Sequence, residues 1–156
     1  MKKKKTWQEK LADSKDLPKV VKIEGKLSKL WGEGTCAIPS PKEVDAIMKK
    51  IPKGKLITIN DMREIIAKKY DATIGCPITT GIFAWISAYA AEEMLKEGKK
   101  KITPYWRTLK TRGEVNPKYP GGIEHQIEKL ESEGYKVFQR GKHFFVMDFE
   151  KYLVKA

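Results

Sequence analysis

The chain has 156 residues, 40% of them hydrophobic with four Trp, six Tyr and five Phe, which suits one domain with a real core. Its 32 Lys and Arg outnumber 20 Asp and Glu for a net charge of +12, so a polyanionic partner is expected, nucleic acid first, with a lysine-rich thermophile-like surface as the alternative. No apolar run approaches the roughly 18 residues of a membrane span, and no apolar segment follows the basic residues 1–5, which argues against a secretory signal.

Residues 1–39 are weakly periodic and are expected to form an arm packed on a body spanning 40–156. Trp7 and Leu11 suggest a short helix, residues 19–23 alternate weakly, and Gly25, Gly32 and Gly34 interrupt the rest. Trp31 and Cys36 are expected to pin the arm down. Ser40-Pro41-Lys42-Glu43 is a capping box with Pro at the first helical position. It opens a helix whose inward stripe is Val44, Ile47, Met48 and Ile51. A short extended segment at 55–58 leads to a second helix, capped by Thr58 or Asn60, with Met62, Ile65 and Ile66 inward and Arg63 outward.

A third helix opens at Pro77 and ends at Gly98. Ile78, Ile82, Trp85 and Tyr89 make one stripe and Phe83, Ile86, Ala90 and Met94 another, which predicts a central, largely buried helix. After a loop at 103–120, a fourth helix opens at Gly121 or Gly122 and closes at Gly134, with Ile123, Ile127 and Leu130 inward. Residues 135–139 and 143–147 read as a β-hairpin turning through Arg140-Gly141-Lys142, and Asp148 as the cap of a final turn. The order describes an α+β fold: a winged helix-turn-helix-like domain with a C-terminal β-hairpin.

Five segments carry a family resemblance. They are residues 51–58 (IPKGKLIT), Cys76-Pro77, Pro104-Tyr105-Trp106-Arg107, Tyr119-Pro120-Gly121-Gly122 and Glu133-Gly134. In order, and in the spacing of the last three, they resemble the C-terminal DNA-binding domain of O6-alkylguanine-DNA alkyltransferases and of the alkyltransferase-like proteins that lack the acceptor cysteine. The resemblance covers residues 41–134 and places Tyr105 at the acceptor thiolate and Trp106 at its activating histidine. It places Gly81 at the arginine that fills the gap left by a flipped nucleotide, Ile59 at a phosphate-rotating tyrosine and Pro120 at the loop serine. A phenol, with an ordinary pKa near 10, is no substitute for a soft thiolate. The resemblance therefore implies a non-enzymatic DNA-binding protein that recognises alkylated or otherwise altered bases for DNA repair. The rival is a winged-helix regulator or architectural protein with a vestigial pocket.

Several residues follow as candidates. Thr79, Thr80 and Gly81 suit close approach to DNA at a helix N-terminus, ordinary capping being the alternative. Arg107, Lys110 and Arg112 are candidate phosphate ligands, or a solvated basic loop. Tyr105 and Trp106, with Tyr119, Pro120 and Gly121, line a base pocket or else are core aromatics under a loop. Cys76 at a helix N-terminus is the one candidate for thiol chemistry, a structural thiol being the alternative. His125 and His143 belong to no triad. The Cys and His residues lack metal-site spacing, no cofactor fingerprint is present, and no catalytic residue or cofactor is expected. The expected partner is double-stranded DNA, with repair proteins joining a cytoplasmic monomer that is nucleoid-associated if the source is prokaryotic.

Overall fold

The computed structural model describes residues 5–154, a mixed α+β molecule whose helices carry most of the core and whose sheets are small. Helix α1 (Trp7–Ala12) and strand β1 (Lys19–Lys22) begin the arm. A short helix α2 (Lys26–Trp31), unexpected in the glycine-interrupted stretch, precedes β2 (Thr35–Ile38). Gly25 and Gly32 bracket it at φ +63° and +83°, so the glycines terminate a helix rather than prevent one.

Helix α3 (Pro41–Lys49) starts at the Ser40 capping box, with Glu43 bonding back to the Ser40 amide. Strand β3 (Ile57–Thr58) runs into α4 (Ile59–Lys69), and Thr58 rather than Asn60 is the cap, again as a capping box, here with Asp61. Strand β4 (Ile74–Gly75) leads into α5 (Pro77–Lys96), 20 residues long. A 3-10 turn (Tyr105–Arg107), β5 (Thr108–Leu109) and α6 (Gly122–Ser132) follow. Antiparallel β6 (Val137–Arg140) and β7 (His143–Val146) form the hairpin, with Val137 opposite Val146 and Arg140 opposite His143. Asp148 makes no side-chain cap at the final 3-10 turn (Phe149–Tyr152); it sits at φ +54° instead.

Residues before and after position 40 share a sheet. β2 pairs antiparallel with β1 and parallel with β4, with Cys36 opposite Ile74. β3 pairs in parallel with β5, which brings the start of α4 beside the residue after Arg107. The main core joins Val44 and Met48 of α3, Met62 and Ile66 of α4, and Ala84, Ala88 and Ala91 of α5 to Tyr105 and Tyr119. A second cluster seats the hairpin: Leu56, Leu109, Val115, Leu130, Tyr135 and Val146.

Helix α5 is central, but not through the expected stripes. Its buried face is built of small residues, Thr80, Ala84, Ser87, Ala88, Ala90 and Ala91, while Ile78 and Ile82 are 56% and 41% exposed. Small side chains let α3 and α4 approach the helix closely, so the large apolar residues are pushed to its outer face. Asp45 ties this packing together. Its buried carboxylate accepts from Ser87 and, at 2.7 Å, from Thr103, linking α3, α5 and the approach to Tyr105. No helix among the described residues is long and apolar enough to cross a membrane.

Candidate nucleic-acid interface

Two elements frame an open groove of about 700 Å³. One wall is the N-terminal half of α5, presenting Pro77, Ile78, Gly81, Ile82 and Trp85; the other is the loop after β5, presenting Lys110, Arg112 and Lys118. Ile59 closes one end. The wall positions on α5 recur at three- and four-residue spacing, so they share a face.

Helix α5 is aimed by its connection to α4. Arg63, expected outward, turns back: Nε donates to the Gly75 carbonyl at 2.9 Å and Nη1 to Asn60 Oδ1 at 3.1 Å. The backbones meet so closely there that a Cβ on Gly75 would lie 2.3 Å from the Arg63 carbonyl oxygen. Only glycine lets α4 and α5 meet at this angle.

The basic loop is held by the hairpin. Val115 N donates to Phe144 O at 2.8 Å and Val146 N to Gly113 O at 2.9 Å. Glu114 contacts His143 Nδ1 at 2.6 Å and Lys110 Nζ at 3.8 Å. Among the described residues Arg112 has no ion-pair partner, and it borders both this groove and the cleft beside Asp148 and Glu150.

The segment Pro104-Tyr105-Trp106-Arg107 is a structural knot. Tyr105 has no exposed surface and donates its hydroxyl to Glu92 Oε1 at 2.6 Å. Its ring meets Trp106 and Tyr119 edge-on at 5.3 and 5.5 Å. Burial first, then the Glu92 carboxylate, push the phenol far above its ordinary pKa. Trp106 Nε1 donates to Glu133 Oε2 at 3.1 Å, and Arg107 holds the same carboxylate with two bonds of 2.9 and 2.6 Å. Arg107 Nη1 also donates to the Ile51 carbonyl at 2.7 Å. Burial works against the charged form of Glu133, but these partners win and keep its carboxyl below the ordinary range.

One turn further along α5, a cleft of about 480 Å³ opens among Tyr89, Glu92, Glu93, Pro120, Gly121 and His125. That volume lies in the range of small-ligand pockets. Trp7 of α1 stacks on Tyr89 at 4.6 Å and forms one wall, and Glu93 accepts the Trp7 and Gln8 amides at 3.0 Å. His125 Nε2 stands 3.6 Å from Glu92 Oε1, too far for a hydrogen bond. Gly121 sits at φ +79°, and a Cβ there would lie 2.6 Å from that of His125, so the Tyr-x-Gly-Gly turn is closed by glycine necessity.

Two solved structures resemble this fold. They are Schizosaccharomyces pombe Atl1 in complex with damaged DNA containing O6-carboxymethylguanine, and S. pombe ATL in complex with DNA. Each is 19% identical, with a TM-score of 0.49, covering 74% of this chain and 94% of the other. No protein-family model and no curated protein matches the sequence.

Of the sequence-derived candidates, Gly81, Lys110 and Arg112 meet at the groove. Five others are corrected. Arg107 is bound to Glu133 and Ile51 with its side chain 12% exposed, so it is a structural cation and no free phosphate ligand. Thr80 is fully buried in the helix packing and reaches no surface. Tyr105 and Tyr119 fill the core instead of lining open space. Pro120 and Gly121 do border the 480 Å³ cleft, whereas Trp106 faces away, toward the end of α3. Thr79 is half-buried, its hydroxyl without a partner among the described residues.

Cys76 is 5% exposed and packs with Cys36 and Ile23, and burial pushes the Cys36 thiol up to about 11. That is the surrounding of structural thiols. The sequence reading missed Glu92, Lys118 and Trp7. Their signals, an acid in an apolar helix and an aromatic in a weakly periodic arm, are visible only once the fold is known.

Proposed function

We propose that this chain is a non-enzymatic DNA-binding protein of the alkyltransferase-like kind, which recognises an altered base in double-stranded DNA and marks it for repair proteins. In this reading α4 and α5 are a helix-turn-helix pair, β6 and β7 are the wing, and residues 1–39 are an arm serving the 40–156 body. The observation that carries the reading is the succession along α5 of a basic groove and then an aromatic, carboxylate-bearing cleft. A duplex backbone suits Lys110, Arg112 and Lys118, and the exposed Ile78 and Ile82 suit an apolar wedge against a minor groove. An extruded base suits the cleft, stacking near Tyr89 and offering its N–H groups to Glu92. The position that the sequence resemblance assigns to the acceptor thiolate holds Tyr105, a buried phenol with a raised pKa, which supports the absence of thiolate alkyl transfer there.

Competition binding tests this directly. The unmutated protein should prefer an O6-alkylguanine duplex over the intact one. Tyr89→Ala should reduce that preference, stacking being worth roughly 1–3 kcal/mol per base, while Arg112→Ala should weaken both duplexes alike. A second reading, a winged-helix regulator with a vestigial pocket, is favoured by the full burial of Tyr105 and the missing side chain at Gly81. It predicts equal affinity for both duplexes and a Tyr89→Ala variant that binds as the parent does.

A further inference from the structure

We infer that the chain has a second DNA-binding site, a lysine cleft at the C-terminal end of α5 that takes a duplex segment other than the one in the groove. The inference rests only on the DNA-binding half of the function proposed above and needs no damaged base.

The cleft, of about 800 Å³, lies between Lys49 and Lys50 at the end of α3 and Lys100 and Lys101 beyond α5. Its apolar floor is Ile102 and the half-buried ring of Trp106. Lys129 adds a further ammonium 5.3 Å from the centre of that ring. Among the described residues no carboxylate lines the cleft.

Two acids that bond residues of its lining, Asp45 and Glu133, are already committed. The Asp45 side chain, 8% exposed, is bound by Ser87 and Thr103 as well as by Lys49 at 3.2 Å. The Glu133 side chain, 9% exposed, is bound by Arg107 and Trp106. Lysines are favoured at helix C-termini; α3 ends here, and Lys100 and Lys101 follow the last residue of α5, Lys96. Yet each macrodipole offers only about half a negative charge, so the two together offset about one lysine. Lys50, Lys100 and Lys101 remain exposed and without ion-pair partners among the described residues. A polyanion with regularly spaced single charges satisfies such a set, and a phosphodiester backbone is one.

This cleft does not extend the groove. The groove face of α5, carrying Ile78, Ile82 and Trp85, continues down the helix as Tyr89, Glu93 and Glu97. There α1 lies over it: Trp7 stacks on Tyr89, and Gln8 bonds both Glu93 and Glu97. A duplex following α5 from groove to cleft would have to cross α1 and this row of carboxylates. At about 1.5 Å per residue, the 20-residue helix keeps its two ends about 30 Å apart. The basic surface is therefore divided in two, and one monomer can hold two duplexes.

A bridging assay decides the matter. A short, blunt, undamaged duplex is fixed to beads, the protein is bound, and capture of a second, fluorescent duplex is read. Capture by the unmutated protein is expected. The combined variant Lys50→Gln, Lys100→Gln, Lys101→Gln should bind one duplex in anisotropy but bring the second-duplex signal down to that of protein-free beads. In the unmutated protein, three phosphate contacts should make log K of the capture step fall against log salt with a slope of at least about 2.7. All three side chains are exposed, so the variant should fold, and its thermal unfolding checks that. Failure of the unmutated protein to capture a second duplex, or undiminished capture by the variant, overturns the inference. The latter result would assign bridging to protein self-association through the groove. A protein with no lesion preference but lysine-dependent capture would contradict the damage-recognition function alone.

Discussion

Placing an arginine at Gly81 probes the groove without disturbing the fold. Gly81 lies inside α5 on the groove wall, and a Cβ built on it meets nothing within 4 Å. Gly81→Arg should therefore cost no packing and remove the glycine penalty of a helix interior, a gain of about 0.8–1 kcal/mol. For a chain of this size that is about 2–4 °C in Tm. The guanidinium would project toward the space flanked by Lys110 and Arg112. One added phosphate contact should steepen the log K–log salt slope by about 0.9 for any duplex. Extruding a base leaves a gap worth a few kcal/mol, and recovering 1.4 kcal/mol of it would tighten binding to a lesion-bearing duplex about tenfold. The assay is anisotropy titration of alkylated and intact duplexes, with thermal unfolding in parallel. Equal gains on both duplexes would mean that the arginine acts as charge alone and that extrusion is no part of binding. A stabilised protein with no gain on either would show that this face of α5 does not meet DNA.

Three further outcomes follow from the geometry. Glu133→Gln should leave Arg107 uncompensated and cost about 3 kcal/mol at neutral pH. The Glu133 carboxyl is held below the ordinary value near 4.3, so its contribution is fully present above that pH and lost as pH falls through the folded value; urea titrations should show the parent losing stability in that acid window and the variant losing less. Gly75→Ala places a methyl 2.3 Å from the Arg63 carbonyl oxygen, so the α4–α5 connection must shift, at about 1–3 kcal/mol and with weaker DNA binding; an unchanged Tm would refute the close approach. Native protein should react with a thiol reagent at Cys36 and Cys76 only as fast as it unfolds, since both are buried; a rapid stoichiometric burst would reopen thiol chemistry at Cys76.

Local signals carried far into this fold. The capping boxes at Ser40 and Thr58, Pro77 at the start of α5, and the glycine turn of the hairpin are short-range chemistry, so their elements could be read directly. Long-range packing was less legible. The apolar stripes of α5 suggested buried isoleucines, but close helix packing favoured its alanines and left Ile78 and Ile82 outside. The pairing of Arg107 with Glu133 joins residues 26 positions apart. Seen singly, each suggested a family motif or a phosphate ligand, and only their contact shows a buried ion pair. Tyr105 illustrates the same limit: its type excluded a thiolate, but its full burial depended on Glu92 reaching it from another element.

The function proposed for the chain is recognition of an altered base without chemistry on it. Competition between an O6-alkylguanine duplex and its intact twin, at low and high salt, tests it most directly. Both affinities should fall as salt rises, because the groove contacts release counterions, while the ratio favouring the alkylated duplex should persist, because the cleft contacts do not. The alkyl group should remain on the DNA throughout. A ratio of one at both salt concentrations, or transfer of the alkyl group to the protein, would contradict the account.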